Sequence, residues 1–139
     1  MTEEFVRATK DERRARVVKV GDVPLVGLAP GIDTAIVCGN NLTLSFAVIQ
    51  PGASGPMHSH PNEQMIVVLE GTVDIVLESK AYGLKAGEVM TVPSNLPHTG
   101  IGGERGSRLL EIFTPARKDF EEKLAKAMKL EPAAPSVVC

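Results

Sequence analysis

The chain has 139 residues, enough for one domain with a real core, and its 43% hydrophobic and 23% charged content is that of an ordinary globular protein. A net charge of −2 leaves no basic stripe for nucleic acid and no Lys/Arg cluster for a membrane surface, so neither is expected as a partner. The longest apolar run, Met65 to Leu69, is far too short to span a bilayer, no apolar signal segment opens the chain, and the two cysteines, Cys38 and Cys139, argue against a disulfide framework; a cytoplasmic setting is expected.

Residues 2–16 are densely charged and read as an exposed N-terminal arm or short helix (domain range 1–16). From Val17 to Phe113, short apolar runs are broken by Gly, Pro and Asn, the pattern of an all-β domain. Strands are expected over 17–20, 34–38, 42–50, 57–60, 64–70, 72–78, 88–92 and 107–113. Tight turns are expected at Gly71-Thr72, at Lys80-Ala81 and through Lys85-Ala86-Gly87-Glu88. The glycines at 102, 103 and 106 read as a hairpin turn rather than a phosphate loop, since no Lys-Ser/Thr follows them. Met57, Met65 and Met90 read as core filler, and Phe46 as a barrel residue. One helix is clear over 119–130, where Phe120, Leu124, Ala127 and Met128 recur at helical spacing. The barrel would then occupy 17–115, and the C-terminal helix and tail 116–139.

The chemistry concentrates in the histidines. All three of the chain's histidines, His58, His60 and His98, fall in two short segments rich in Gly and Pro. Residues two apart on an extended strand share a face, so His58 and His60 offer two imidazoles to one point, and His98 would close the site. Neutral imidazole is the commonest protein metal ligand, and the expected cofactor is one divalent transition metal: Zn, Ni, Fe, Mn or Co. Glu63 and Gln64 are adjacent candidates for a fourth ligand, and they point to opposite faces, so only one can reach.

This arrangement resembles the cupin superfamily. Gly52, His58, His60 and Gly71 match the spacing of the first cupin motif, G-x5-H-x-H-x3,4-E-x6-G, and the register places Gln64 at the usual glutamate position. Gly87, Pro93 and His98 match the second motif, G-x5-P-x-G-x2-H-x3-N. There Asn95 replaces a glycine and Gly102 replaces the asparagine. Asn95 is a mild change, because Asn tolerates the left-handed turn conformation best among non-glycine residues. The resemblance implies a double-stranded β-helix, or jelly-roll, barrel with metal ligands His58, His60, Gln64 and His98. A neutral Gln64 leaves the full dication charge in the site, which favours stabilising a developing oxyanion over supporting Fe(III). Its amide NH2 would need an acceptor behind it.

On the last strand Leu109, Glu111 and Phe113 share one face. If that face is inward, a carboxylate between apolar neighbours needs a cation such as Arg117, a metal-bound water or a substrate proton, and its pKa rises towards a useful range. If it is outward, Glu111 is simply solvated. The run from Glu111 through Phe113 and Arg117 to Phe120 resembles the closing strand of the cupins of pectin breakdown that convert 4,5-unsaturated uronates to linear keto sugars. That resemblance puts Glu111 at the acid, Phe113 at the pocket aromatic and Arg117 at the residue that takes the sugar carboxylate, with Glu111 one methylene longer than the usual Asp. The implied function is isomerase- or lyase-type proton transfer on a small carboxylate-bearing sugar acid or keto/hydroxy acid. An Fe(II)-dependent dioxygenase and a non-catalytic metal- or small-molecule-binding cupin are the alternatives. Met65 to Leu69 is apolar on both faces of its strand, which suggests a homodimer.

Overall fold

The computed structural model describes residues 4–130. A five-residue helix, α1 (Lys10–Arg14), opens the described chain with a Thr9–Glu12 capping box, and it buries nothing. Seven strands follow: β1 (Val26–Ala29), β2 (Ile32–Cys38), β3 (Thr43–Ile49), β4 (Glu63–Leu77), β5 (Lys80–Lys85), β6 (Val89–Val92) and β7 (His98–Thr114). Helix α2 (Lys118–Leu130) ends the described chain. The strands pair antiparallel in the order β1-β2-β3-β7-β4-β5, with β6 added to β4. Among the described residues no helix is long and apolar enough to cross a membrane.

The fold is organised by its two longest strands. The first half of β4 pairs with the second half of β7, from Glu63↔Thr114 to Gly71↔Ser107. The second half of β4 pairs with the first half of β7, from Val73↔Gly102 to Leu77↔His98. The register shifts between the halves, where Gly71 and Gly106 both take positive φ, 75° and 73°. The sheet bends there into two halves that enclose one core. Ile66, Val68, Val73, Ile75, Ala47, Ile49 and Leu109, drawn from both sides of the bend, pack together. β3 shows the alternation plainly: Thr43, Ser45, Ala47 and Ile49 are buried, and the residues between them are half-buried.

Gly71 is required at the bend. A Cβ there would run into the Gly106 carbonyl oxygen, and the left-handed backbone alone costs a side-chain-bearing residue about 1–2 kcal/mol. Gly71→Ala is therefore expected to lower the urea midpoint with the slope unchanged. A wild-type midpoint would mean that the bend does not depend on this close approach.

Several sequence expectations need correction. Residues 17–19 are not a strand, and a 3-10 turn covers Val20–Asp22. Strands β1 and β5 were not expected. The ranges 64–70 and 72–78 form one bent strand, and Lys80-Ala81 starts β5 instead of turning. The segment from Gly102 to Gly106 continues β7; it is not a hairpin. A Cβ at Gly102 would meet the Gln50 carbonyl, and one at Gly103 would meet Thr72, so these glycines serve close strand approach. Met57 and Met65 are exposed, at 49% and 42%, and only Met90 packs on the core. Phe46 faces outward and packs with the second apolar cluster.

That second cluster lies under α2. Phe120 and Leu124 are buried, and Ala127 and Met128 pack beside them against Val26, Ala35, Ile36 and Phe113, on the face expected from the sequence. Cys38 also packs there and is not a free thiol, so the cysteine count carries no argument about compartment. Cys139 lies outside the described residues.

Candidate metal centre

The histidines are assembled by backbone pairing at the open edge of the first half of β7. Gly52, at φ 71°, turns the chain after β3, and Gly52 and Gly102 exchange bonds with the neighbouring backbone: Gly52 N donates to Gly102 O, and Gly102 N to Ala53 O. Further along, Thr99 Oγ1 donates to Gly55 O. His58 and His98 then donate backbone N–H to each other's carbonyls at 3.0 and 2.8 Å. The predicted strand over 57–60 is thus reduced to a single bridge at His58, yet that bridge sets the two rings 4.4 Å apart. Asn95, at φ 65° as its type allows, donates its N–H to the His60 carbonyl and holds the third histidine in place. Ligand-capable nitrogens of His58, His60 and His98 all lie within 4.8 Å of one another. His60 and His98 are buried, and His58 is exposed at the mouth.

The hydrogen bonds decide which nitrogen each ring presents. His58 Nδ1 lies 3.0 Å from Pro56 O, His60 Nδ1 3.0 Å from Asn62 O, and His98 Nδ1 2.8 Å from Leu96 O. A neutral imidazole has one N–H, and a carbonyl can only accept, so each proton sits on Nδ1 and each Nε2 offers a lone pair. Burial holds the pKa of His60 below its usual value, helped by the charge of Arg117 and opposed by the Asn62 and Gln64 contacts. Burial likewise lowers that of His98, against its bond to Leu96 and together with the nearby charges. His98 Nε2 has no hydrogen-bond partner.

Gln64 follows the same logic. It begins the inward row of β4 and is 3% exposed, whereas Glu63 points to solvent. Its Oε1 lies 3.1 Å from His60 Nε2, and its Nε2 donates to Glu111 Oε2 at 2.6 Å. With the His60 proton on Nδ1, the 3.1 Å contact joins two acceptors, which repel unless a cation sits beside both. An orphaned His98 Nε2 and two facing lone pairs are the arrangement a divalent transition metal fits.

Glu111 faces inward, at the wall of a cavity of about 90 Å3 that His58, Gln64, His98, Phe113 and Arg117 also line. Burial pushes its pKa up to about 7, against the charge of Arg117 and the bonds from Ser45 and Gln64. Arg117 is buried but makes no direct bond to Glu111. Its Nε and Nη2 pair with Asp119 at 3.1 and 2.6 Å, and its guanidinium lies over Phe120 (3.8 Å) and Phe113 (4.8 Å). Asp119 is held below its usual pKa: burial acts to raise it, and the bond and charge of Arg117, with backbone bonds, outweigh that. Phe113, 1% exposed, meets His60 and Phe120 edge to face at 5.5 and 5.4 Å.

Sequence reasoning missed Asn62, Thr34, Ser45 and the role of Asp119. Asn62 holds His60 through its carbonyl and reaches across to Pro115 O with Nδ2 at 2.6 Å, tying the histidine loop to the segment that carries Arg117. The peptide bond before Pro115 is cis. Thr34 and Ser45 hydroxyls pair at 2.5 Å, and Ser45 donates to Glu111 Oε1 at 3.4 Å. Asn62 beside the paired histidines and Asp119 two residues after Arg117 were the signals among these open to a reader of the sequence.

Comparison with known proteins agrees with this geometry. Residues 45–113 match the cupin domain family model. The pectin degradation protein KdgF of Dickeya dadantii is 30% identical over 101 residues, covering 71% of this chain and 92% of that protein. The chain belongs to the cupin family. The solved structure of KdgF from Halomonas sp. superposes with a TM-score of 0.68 at 25% identity, over 74% of this chain and 96% of that one. An RmlC-like cupin from Shewanella frigidimarina gives 0.69 at 24% identity, over 76% and 95%. The HTH-type transcriptional regulator PuuR of Escherichia coli is 26% identical over 121 residues; the match takes in 83% of this cupin but only 65% of the regulator's length. This protein is thus a metal-site cupin that resembles KdgF, with three histidines placed to bind the ion.

Proposed function

We propose that this cupin binds one divalent transition metal through His58, His60, His98 and Gln64 and catalyses proton transfer on a small carboxylate-bearing sugar acid or keto/hydroxy acid. The observation that carries the reading is the Gln64–Glu111 contact beside three converging Nε2 lone pairs: metal donors and a carboxyl suited to proton transfer line one cavity. A bound metal would supply Lewis acidity towards a substrate oxygen. Glu111 would take or return the proton, since a carboxyl in apolar surroundings is suited to acid/base work near neutral pH. Arg117 would receive the substrate carboxylate with the donors Asp119 leaves unused, and Phe113 would form the apolar wall against the substrate. His58, exposed at the edge of this cavity, marks the side from which a substrate would enter. The likeness to KdgF, a pectin degradation protein by name, directs the first assay to unsaturated uronates. Turnover is expected without oxygen, and Arg117→Ala is expected to weaken carboxylate ligands. Oxygen consumption coupled to turnover would favour an iron dioxygenase instead.

The second reading is a ligand-binding cupin without turnover, favoured by the match to PuuR over most of this chain. Carboxylates that shift the melting temperature and are recovered unchanged would establish it.

The assembly reading is a homodimer. Helix α2 packs against β1 and β2, while Met65 and Leu69 on the outer side of β4 are 42% and 48% exposed beside half-buried Val67, Leu110 and Ile112. A second copy covering this strip would remove it from water. Light scattering is expected to give twice the chain mass, falling to the single mass for Met65→Glu/Leu69→Glu; a wild-type monomer ends the dimer reading.

A further inference from the structure

The amide of Gln64 can face the histidines with either end. Only the oxygen can ligate a cation; the NH2 end would present two positive hydrogens to it. Nothing within Gln64 selects the end, and its register partners, Val92 on β6 and Phe113 on β7, are apolar. Glu111 does distinguish the ends. Ionised, its carboxylate only accepts, as it does from Ser45 and, at 2.6 Å, from Gln64 Nε2, so the NH2 turns to Glu111 and Oε1 turns to His60. Glu111 is itself held from behind. Ser45 reaches its other oxygen at 3.4 Å, and the Thr34 hydroxyl pairs with Ser45 at 2.5 Å, both on fully buried side chains. The four residues stand on β2, β3, β7 and β4, so one hydrogen-bonded row runs across four neighbouring strands and ends at the metal centre.

We propose that Glu111 is a positioning residue for the metal centre in addition to its role on substrate: anchored by Thr34 and Ser45, it sets the Gln64 amide so that its oxygen faces the histidines. The inference rests on the metal reading above and specifies how this chain builds a neutral fourth donor. It also couples the two identities. Gln64→Glu would set two carboxylates against each other, so a glutamate at 64 would call for a neutral partner at 111.

The test is a double-mutant cycle on metal affinity, read by competition with a chromophoric chelator using Zn2+ and Ni2+. Glu111→Leu is expected to weaken binding about 10–100-fold, the usual effect of losing a group that orients a ligand. Glu111→Gln, which keeps an acceptor for the amide, is expected to stay within about 3-fold of wild type on the same grounds. In a Gln64→Ala background, Glu111→Leu is expected to change affinity by less than about 2-fold, because it acts through the amide. Circular dichroism and melting of each apo variant identify any loss from misfolding, and the Glu111→Gln and Gln64→Ala arms then carry the decision. Equal losses from Glu111→Leu in both backgrounds, or no loss in either, overturn the positioning role while leaving the metal reading intact. Wild-type protein that takes up neither metal overturns both.

Discussion

His98→Ala is expected to yield protein that carries no stoichiometric metal after purification and gains no thermal stability when metal is added. The wild-type site brings together three rings whose Nδ1 protons are committed to backbone carbonyls, and the buried His98 Nε2 has no partner of its own. Removing one of three converging imidazoles takes away a ligand and opens the wall of a cavity that already lies near solvent at His58. For wild type, metal at about one hundred times its Kd should raise stability by about 2.7 kcal/mol, and the variant should show almost none of this. Calorimetry with and without chelator reads both quantities. A His98→Ala protein that keeps one metal per chain, with its metal-dependent rise in melting temperature, would locate the ion elsewhere. The same comparison for His60→Ala should agree, because His60 and His98 meet edge to face at 4.9 Å and share the centre.

Glu111→Gln is expected to separate binding from chemistry. The substituted amide keeps an oxygen for Gln64 and fills the same space, so metal content should stay close to wild type. What it loses is a group that holds and releases a proton, and turnover on the substrate should fall about 10²–10⁴-fold, the usual worth of a general acid or base. The Michaelis constant should move little, since Arg117 and Phe113 remain in place. Metal analysis and steady-state kinetics on one preparation read the outcome. Full activity in Glu111→Gln would assign proton transfer to another group. Loss of metal together with activity would show that a side-chain carboxylate, and not merely an acceptor, is needed at 111.

Much of the metal centre was legible in the sequence because its spacing is a backbone property. The inward row of β4 starts at Gln64 and continues through Ile66 and Val68, so counting from His60 separates buried Gln64 from exposed Glu63. The α2 face was legible for the same reason, through its helical period. Strands β1 and β5 were not, because they are short and carry Gly27, Ala29, Ala81 and Gly83, which have weak strand preference. The glycines from 102 to 106 misled for a related reason. Glycine marks a turn and a close strand approach alike, and only the positions of Gln50 and Thr72 beside them separate the two.

The sequence alone determined the all-β cupin barrel, the three histidines as one cluster and the face on which Gln64 lies, since period and motif spacing carry these through local geometry. Only the tertiary structure decided that Glu111 points inward, that Arg117 is clamped by Asp119, and that Asn62, Thr34 and Ser45 hold the site from behind. Apart from the Arg117–Asp119 pair, whose partners are two positions apart, the contacts join residues distant in the chain: Gln64 and Glu111 are 47 positions apart, and Asn62 and Pro115 are 53. A hydrogen bond of that kind depends on strand order and register, which local pattern does not encode, and here it follows from the bend at Gly71 that lays the two halves of β7 along β4.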